Sequence, residues 1–254
     1  MNIEETYALP LMFSEPIVFR GAVKLYPVRF AQFHLFRFGT ASLLYDTLSC
    51  RDMRLAALPR LYFLTDALNH EGDSAYEQEN PDMADLFKSL NIMLGLVLKE
   101  QEFAFVKKGA YWQLRIYSAE DGGGFTDLTS RDFEELRTLI LHQNGVDYTD
   151  EFLHEDVKKR MREDEKVLGQ SETFTDEDCM EGVMLALGIT DEAALLNMTM
   201  RRYTRLLSKA LARENYTLQT AASMSGFVTF NKPIPHWLAH RETGAGLERY
   251  FKKA

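Results

Sequence analysis

The chain has few cysteines, no excess of basic residues and no long apolar run. Cys50 and Cys179 are its two cysteines, and neither lies in a C-x-x-C pair. This pattern excludes a disulfide framework and a cysteine-based zinc site, so we expect two reduced, packed thiols. The most apolar segment, residues 92–98, is far shorter than the roughly 20 residues that cross a bilayer. Because the first residues also lack the pattern of a signal peptide, we expect a cytoplasmic protein without membrane spans.

The balance of charge is acidic. The 254 residues include 29 Lys and Arg against 38 Asp and Glu, which gives a formal net charge of -9. That balance favours solubility and argues against a general affinity for nucleic acid, for which a basic surface is expected. Hydrophobic residues make up 46% and charged residues 26%, as in ordinary globular proteins of one or two domains.

The first half, residues 1–128, predicts a mixed α/β region. Two segments are typical of antiparallel strand pairs: residues 16–26, turning near Arg20 and Gly21, and residues 103–117, turning at Lys108 and Gly109. Three segments have the composition or the apolar spacing of helices: residues 30–38, residues 52–68 with a break at Pro59, and residues 82–98. Polar residues 69–81 predict a loop.

The second half, residues 129–254, predicts a mainly helical region beyond a boundary at the glycines of residues 122–124. Four helices are expected: residues 130–144 capped by Ser130 and ended by Gly145, residues 154–168, residues 176–187 ended by Gly188, and residues 199–225 ended by Gly226. Thr190 is the expected cap of a short helix before the last one, and residues 227–230 are strand-like. We therefore predict an α+β fold, predominantly α-helical, with short N-terminal strands, a central β-hairpin and a helical C-terminal half.

No segment gathers reactive side chains in the way that a catalytic site requires. His236 and His240 have zinc-binding spacing, but no glutamate lies between them and no third ligand is evident. The glycines of residues 122–124 are followed by no lysine, which excludes a Walker-type loop. Residues 164–166 resemble half of a nuclease site but lie in an exposed helical pattern, and residues 223–227 contain no G-x-S-x-G motif. We therefore assign no catalytic residue, metal site or cofactor.

A basic face on the last long helix is the main feature that favours a nucleic-acid-binding function. It consists of Arg201, Arg202, Arg205, Lys209 and Arg213. Together with the helix of residues 176–188, it could form a helix-turn-helix, so a DNA-associated regulator is the alternative function. The acidic residues 147–181 would repel a duplex, and pairing of this basic face with them is the more economical explanation.

Methionines are concentrated in one third of the chain, at Met180, Met184, Met198, Met200 and Met224. Their flexible, polarizable side chains suit the protein core and also surfaces that accept varied apolar partners. The candidate partner-binding residues are Met198, Met200, Tyr203, Leu207, Phe227, Phe230 and Trp237.

Two passages carry a resemblance to a known family. The first comprises residues 139–148 (LILHQNGVDY), 150–151 (DE) and 156–159 (DVKK); the second comprises residues 197–203 (NMTMRRY), Tyr216, 224–230 (MSGFVTF) and 235–238 (PHWL). In this order and spacing they resemble proteins of phages and prophages of Gram-positive bacteria that are encoded near the tape-measure gene. The resemblance covers roughly the last 120 residues well and the first 120 loosely. The front half is also longer here than in the family.

The resemblance implies a tail assembly chaperone-like protein. Its partner would be the tape-measure protein, a long helical chain whose apolar stripes aggregate unless covered, or another tail component. The family supplies no catalytic residues. Whether the protein forms a homo-oligomer, and whether it stays in the mature virion, is left open.

Overall fold

A computed structural model of the protein describes residues 6–47, 50, 52–118, 124–146 and 176–226, together with Phe230, Ile234 and His236. In these residues the helices are α1 (Ala8–Phe13), α2 (Phe33–Leu44), α3 (Met53–Ala56), α4 (Arg60–Thr65), α5 (Ser74–Glu79), α6 (Pro81–Leu98), α7 (Ser130–Gln143), α8 (Asp176–Leu187), α9 (Glu192–Leu196) and α10 (Met200–Met224). The strands are β1 (Ile17–Phe19), β2 (Val23–Leu25), β3 (Phe103–Lys108), β4 (Tyr111–Tyr117) and β5 (Phe125–Leu128). The predicted helix at residues 154–168 and the side chain of Cys179 lie outside the described residues.

The predicted fold class is confirmed: the chain is α+β and mostly helical, and its described residues form one two-stranded and one three-stranded antiparallel sheet. It divides into two compact units. Unit 1 contains Met1–Thr173 and Asp191–Tyr203, and unit 2 contains Phe174–Thr190 and Thr204–Ala254. This division differs from the expected boundary between residues 128 and 129, because α7 packs against α2, α4 and β5 of unit 1.

The N-terminal strand pair is confirmed. β1 and β2 are antiparallel, and two of the three residues that connect them, Arg20 and Gly21, have positive φ angles of 50° and 75°. Such a turn matches the twist of paired strands, and glycine adopts it without steric cost. The buried side chains alternate along each strand and belong to Ile17, Phe19, Val23 and Leu25. The hairpin therefore contributes one apolar face to the core of unit 1.

Helices α2 and α6 form the centre of unit 1 and approach closely at Gly39. A Cβ atom at Gly39 would lie 3.1 Å from the Cβ of Met93, so only glycine fits without a shift. Beside it, the amide of Ser42 donates to the hydroxyl of Ser89 at 3.3 Å. Leu90, Met93 and Leu94 of α6 are fully buried. The fitted small residues allow the two backbones to pack at short range.

Of two predictions for the segment before α6, one is confirmed and one is corrected. The break at Pro59 is confirmed, since α3 ends before it and α4 begins after it. The polar residues 69–81, predicted as a loop, contain the short helix α5. The carboxylate of Asp73 caps this helix by accepting from the amides of Ala75 and Tyr76, and the hydroxyl of Tyr76 donates to Asp66 at 2.8 Å. Local capping therefore forms a helix that has no apolar periodicity.

The central hairpin is confirmed, and a third strand extends it. β3 and β4 pair antiparallel around Gly109, and β5, which was not predicted, pairs with the other edge of β4. Arg115 lies directly opposite Asp127 and donates to both carboxylate oxygens, at 2.7 and 2.9 Å. This cross-strand pair fixes the register of a strand that has only four residues.

Among the described residues of the second half, the boundaries predicted for α7, α8 and α10 agree with the structure to within one residue. Thr129, rather than Ser130, caps α7 in a capping box with Asp132. Asp191, rather than Thr190, caps α9, since its carboxylate accepts from the amide of Ala193 at 2.9 Å. Gly188 ends α8 with a φ of 65°, as predicted. In the described part of the chain, no helix is both long and apolar enough to span a membrane.

Residues 191–203 close unit 1 by pairing with an extended segment near the N terminus. The amide of Phe30 donates to the carbonyl of Met198 at 2.7 Å, and the amide of Met200 donates to the carbonyl of Val28 at 2.9 Å. Buried Asn144 supports this bridge, because its Oδ1 accepts from the amide of Val28 and its Nδ2 donates to the carbonyl of Ile140, both at 2.8 Å. The contact joins residues that are about 170 positions apart in the chain.

Candidate partner-binding helix

Helix α10 has different surroundings along its length. Its first turn, through Tyr203, belongs to unit 1, and the residues from Thr204 belong to unit 2. In the first turn, Met200 and Tyr203 are buried, with 5% and 7% of their surface exposed, and the ring of Tyr203 lies 4.2 Å from that of Phe30. These two residues, expected to bind a partner, instead form part of the core of unit 1. Burial of that size leaves almost no side-chain surface for a second protein.

Three leucines form a narrow apolar strip on the unit 2 part of α10. At 100° per residue, Leu207, Leu211 and Leu218 lie within about 40° of one another around the helix axis. We call this strip the leucine seam. Leu211 is 52% exposed and Leu218 is 68% exposed, whereas Leu207 is half-buried. The polar residues Ser208 and Asn215 beside the seam are exposed, as is Glu214, which lies in line with the leucines between Leu211 and Leu218. The seam is therefore an apolar line in a polar surface.

Other faces of α10 carry the packing within unit 2. Ala210 is buried, and the guanidinium of Arg213 donates to the carbonyl of Ala186 in α8 at 2.9 Å. The ring of Tyr216 meets that of His236 edge-on at 5.2 Å. These internal contacts come from residues outside the leucine seam, whose Leu211 and Leu218 face solvent.

The basic face of α10 is partly used within the chain. Arg201 donates to the carbonyl of His142 at 2.6 Å in unit 1, and Arg213 donates to Ala186 in unit 2. Arg202 and Arg205 are exposed, and Lys209 is half-buried. Two of the five residues therefore bind backbone carbonyls at helix ends, where cations are favoured. The predicted acidic partner for this face lies mostly at residues 147–175, outside the described part of the chain.

The remaining candidate residues are placed as follows. Met198 is half-buried beside the bridge to Phe30, and Phe230 is exposed. Phe227 and Trp237 lie outside the described residues, as does His240, the second half of the histidine pair. Among the residues that the structure describes, no three His, Cys, Asp or Glu side chains are grouped to hold a metal ion. Cys50 is a free, half-buried thiol.

Sequence reasoning named Leu207 as a candidate but did not separate the apolar side of this helix into a buried and an exposed part. It also missed Leu218 and Glu214. The signal was available, since positions 207, 211 and 218 have the four- and seven-residue spacing of a coiled-coil seam. Comparison of the chain with family models, curated proteins and solved structures finds no match. The resemblance to tail assembly proteins therefore stays a prediction from residues 139–238.

Proposed function

We propose that this protein binds an amphipathic helix of another protein through the leucine seam of α10. The observation that carries the proposal is the exposure of Leu211 and Leu218 on a helix that makes its contacts within unit 2 through other residues, such as Ala210 and Arg213. Leaving two leucines in water forfeits hydrophobic free energy that a partner can recover, about 1 kcal/mol for each half-exposed side chain. A seam about 40° wide matches the single ridge of a facing helix, whereas a sheet would need a broad flat surface.

The partner that we propose is a phage tape-measure protein or another tail component, and the role is that of an assembly accessory or chaperone. The family resemblance supplies this identity, and the physical requirement agrees with it. A long helical chain with apolar stripes stays soluble only if those stripes are covered, and an acidic protein with an apolar seam can cover them.

Co-expression tests the proposal. The proposal requires a tape-measure gene beside this one; its product is expressed alone, with the wild-type protein, and with a variant carrying Leu211→Ser and Leu218→Ser. We expect the tape-measure chain to be soluble and to co-purify only with the wild-type protein. Leu185→Ser is the matched control, because Leu185 in α8 is also strongly exposed but lies outside the seam. Equal solubility of the tape-measure chain in all samples would contradict a chaperone role.

The DNA-associated alternative depends on Arg202 and Arg205, two of the three exposed members of the basic face; the third, Arg213, donates to the carbonyl of Ala186. Its own test is duplex binding measured at rising salt concentration, because contacts to phosphates weaken steeply with salt. Tight, salt-sensitive binding that Arg202→Ala and Arg205→Ala both weaken would favour a regulator. The leucine variants would leave that binding unchanged.

A further inference from the structure

The leucine seam contains one charged residue at its centre. Starting at residue 204, alternating steps of three and four reach positions 207, 211, 214, 218 and 221, the a and d positions of a heptad repeat. Leucine occupies three of these positions, and Glu214 occupies the one between Leu211 and Leu218. Glu214 is exposed. It is also the midpoint of residues 204–224, the part of α10 that belongs to unit 2.

The α10 helix supplies no cation to Glu214. The residues three and four positions away, which are its neighbours on a helix surface, are Ala210, Leu211, Thr217 and Leu218. A helix that covers the seam must remove water from this carboxylate. A charge that loses its hydration without gaining a partner is strongly unfavourable, so the covering helix has to provide a counter-charge.

We propose that Glu214 selects the partner helix, which carries a lysine or arginine facing Glu214 between apolar residues that pack on Leu211 and Leu218. This inference rests on the proposed function, because it assigns the chemistry of the helix that the seam binds. A cation with a long aliphatic stem fits this position, since its methylene groups lie along the leucines while its charged end reaches the carboxylate.

Glu214 also disfavours pairing of the leucine seam with the seam of a second copy of the chain. In a parallel, in-register pair each position faces its own copy, so the two Glu214 carboxylates would meet. In an antiparallel pair centred on residues 204–224, the midpoint again faces itself. Both symmetric arrangements therefore place like charges together in a desolvated contact. A polar residue at one seam position is a known means of fixing register and rejecting wrong partners.

Three synthetic peptides test the inference against the full-length protein. They are four-heptad amphipathic helices with identical leucine seams that differ only in one central seam residue, which is lysine, leucine or glutamate. Binding is measured by titration calorimetry at low and high salt. For the wild-type protein we expect the lysine peptide to bind at least about tenfold more tightly than the glutamate peptide, with the difference shrinking at high salt. Glu214→Lys should reverse that preference.

The variants distinguish two outcomes: that Glu214 does not select the charge of the partner, and that the leucine seam does not bind helices. If all three peptides bind alike and Leu211→Ser with Leu218→Ser abolishes binding, the seam binds helices but selection by Glu214 is wrong. If no peptide binds the wild-type protein, both the seam and the selection are overturned. Sedimentation of Glu214→Leu provides a second readout, since we expect it to form dimers that the wild-type seam does not form. Far-UV circular dichroism confirms that each variant keeps its helical content.

Discussion

The bridge between residues 28–30 and 198–200 depends on the buried amide side chain of Asn144. The substitution Asn144→Ala tests how much this side chain contributes to the free energy of unfolding. Asn197 is a matched control in the same region. It also makes two side-chain hydrogen bonds, accepting from Arg29 at 2.9 Å and donating to the carbonyl of Ala193 at 2.8 Å. The two asparagines differ in burial, since Asn144 is 1% exposed and Asn197 lies at the surface.

The expected magnitudes follow from that difference. Asn144→Ala leaves the amide of Val28, a fully buried residue, without the acceptor that it has at 2.8 Å. An orphaned buried donor costs about 1–3 kcal/mol, and the lost side-chain volume adds to this. We therefore expect unit 1 to lose about 2–4 kcal/mol of unfolding free energy. For Asn197→Ala water replaces the lost partners, so the loss should stay below about 1 kcal/mol.

Urea unfolding followed by tryptophan fluorescence measures both losses. The chain has two tryptophans, and Trp112 lies in β4 of unit 1. A Trp237→Phe background therefore makes the fluorescence signal specific to unit 1. Equal destabilisation by Asn144→Ala and Asn197→Ala would refute the reasoning, because it would mean that burial of the hydrogen bonds does not determine their contribution.

Two further predictions concern packing and charge. Gly39→Ala should destabilise unit 1 by about 1–3 kcal/mol through its contact with Met93, whereas Gly95→Ala, with nothing within 4 Å, should stabilise by up to about 1 kcal/mol in the same urea assay. Hydrogen bonds from Arg115 lower the pKa of Asp127, so this pair stabilises the fold above the unfolded carboxyl pKa near 4 and less as pH falls through the folded value. The difference in unfolding free energy between wild type and Asp127→Asn should therefore shrink as the pH falls from about 5 to about 3. A difference that does not change with pH would contradict a contribution from the ionised carboxylate.

The sequence alone predicted most of the regular elements, because their signals are local. Apolar spacing placed α6, Pro59 separated α3 from α4, and the glycines at 188 and 226 marked the ends of α8 and α10. The short helix α5 and the strand β5 were missed for the same physical reason. Each is held by individual contacts, a capping aspartate in one and a cross-strand ion pair in the other, which leave no periodic pattern.

The candidate site was only partly predictable. The amphipathic pattern of α10 shows that one side is apolar, but a single helix cannot show which apolar residues its neighbours cover. Met200 and Tyr203 lie under the bridge to residues 28–30, a contact about 170 residues distant in sequence, whereas Leu211 and Leu218 lie beyond it. Long-range pairing of this kind buries one part of an apolar stripe and leaves the other part exposed. The local sequence pattern does not predict which residues belong to each part.

The discontinuity of unit 1 has a consequence for synthesis of the protein. The extended segment at residues 28–30 is translated early, but the residues that pair with it, 198–200, leave the ribosome only after most of the chain has been made. Until then the amide of Phe30 and the carbonyl of Val28 lack their partners, and the nascent N-terminal part stays incomplete. Truncated products that stop before residue 198 should therefore be degraded or aggregate, although they contain most of the residues of unit 1.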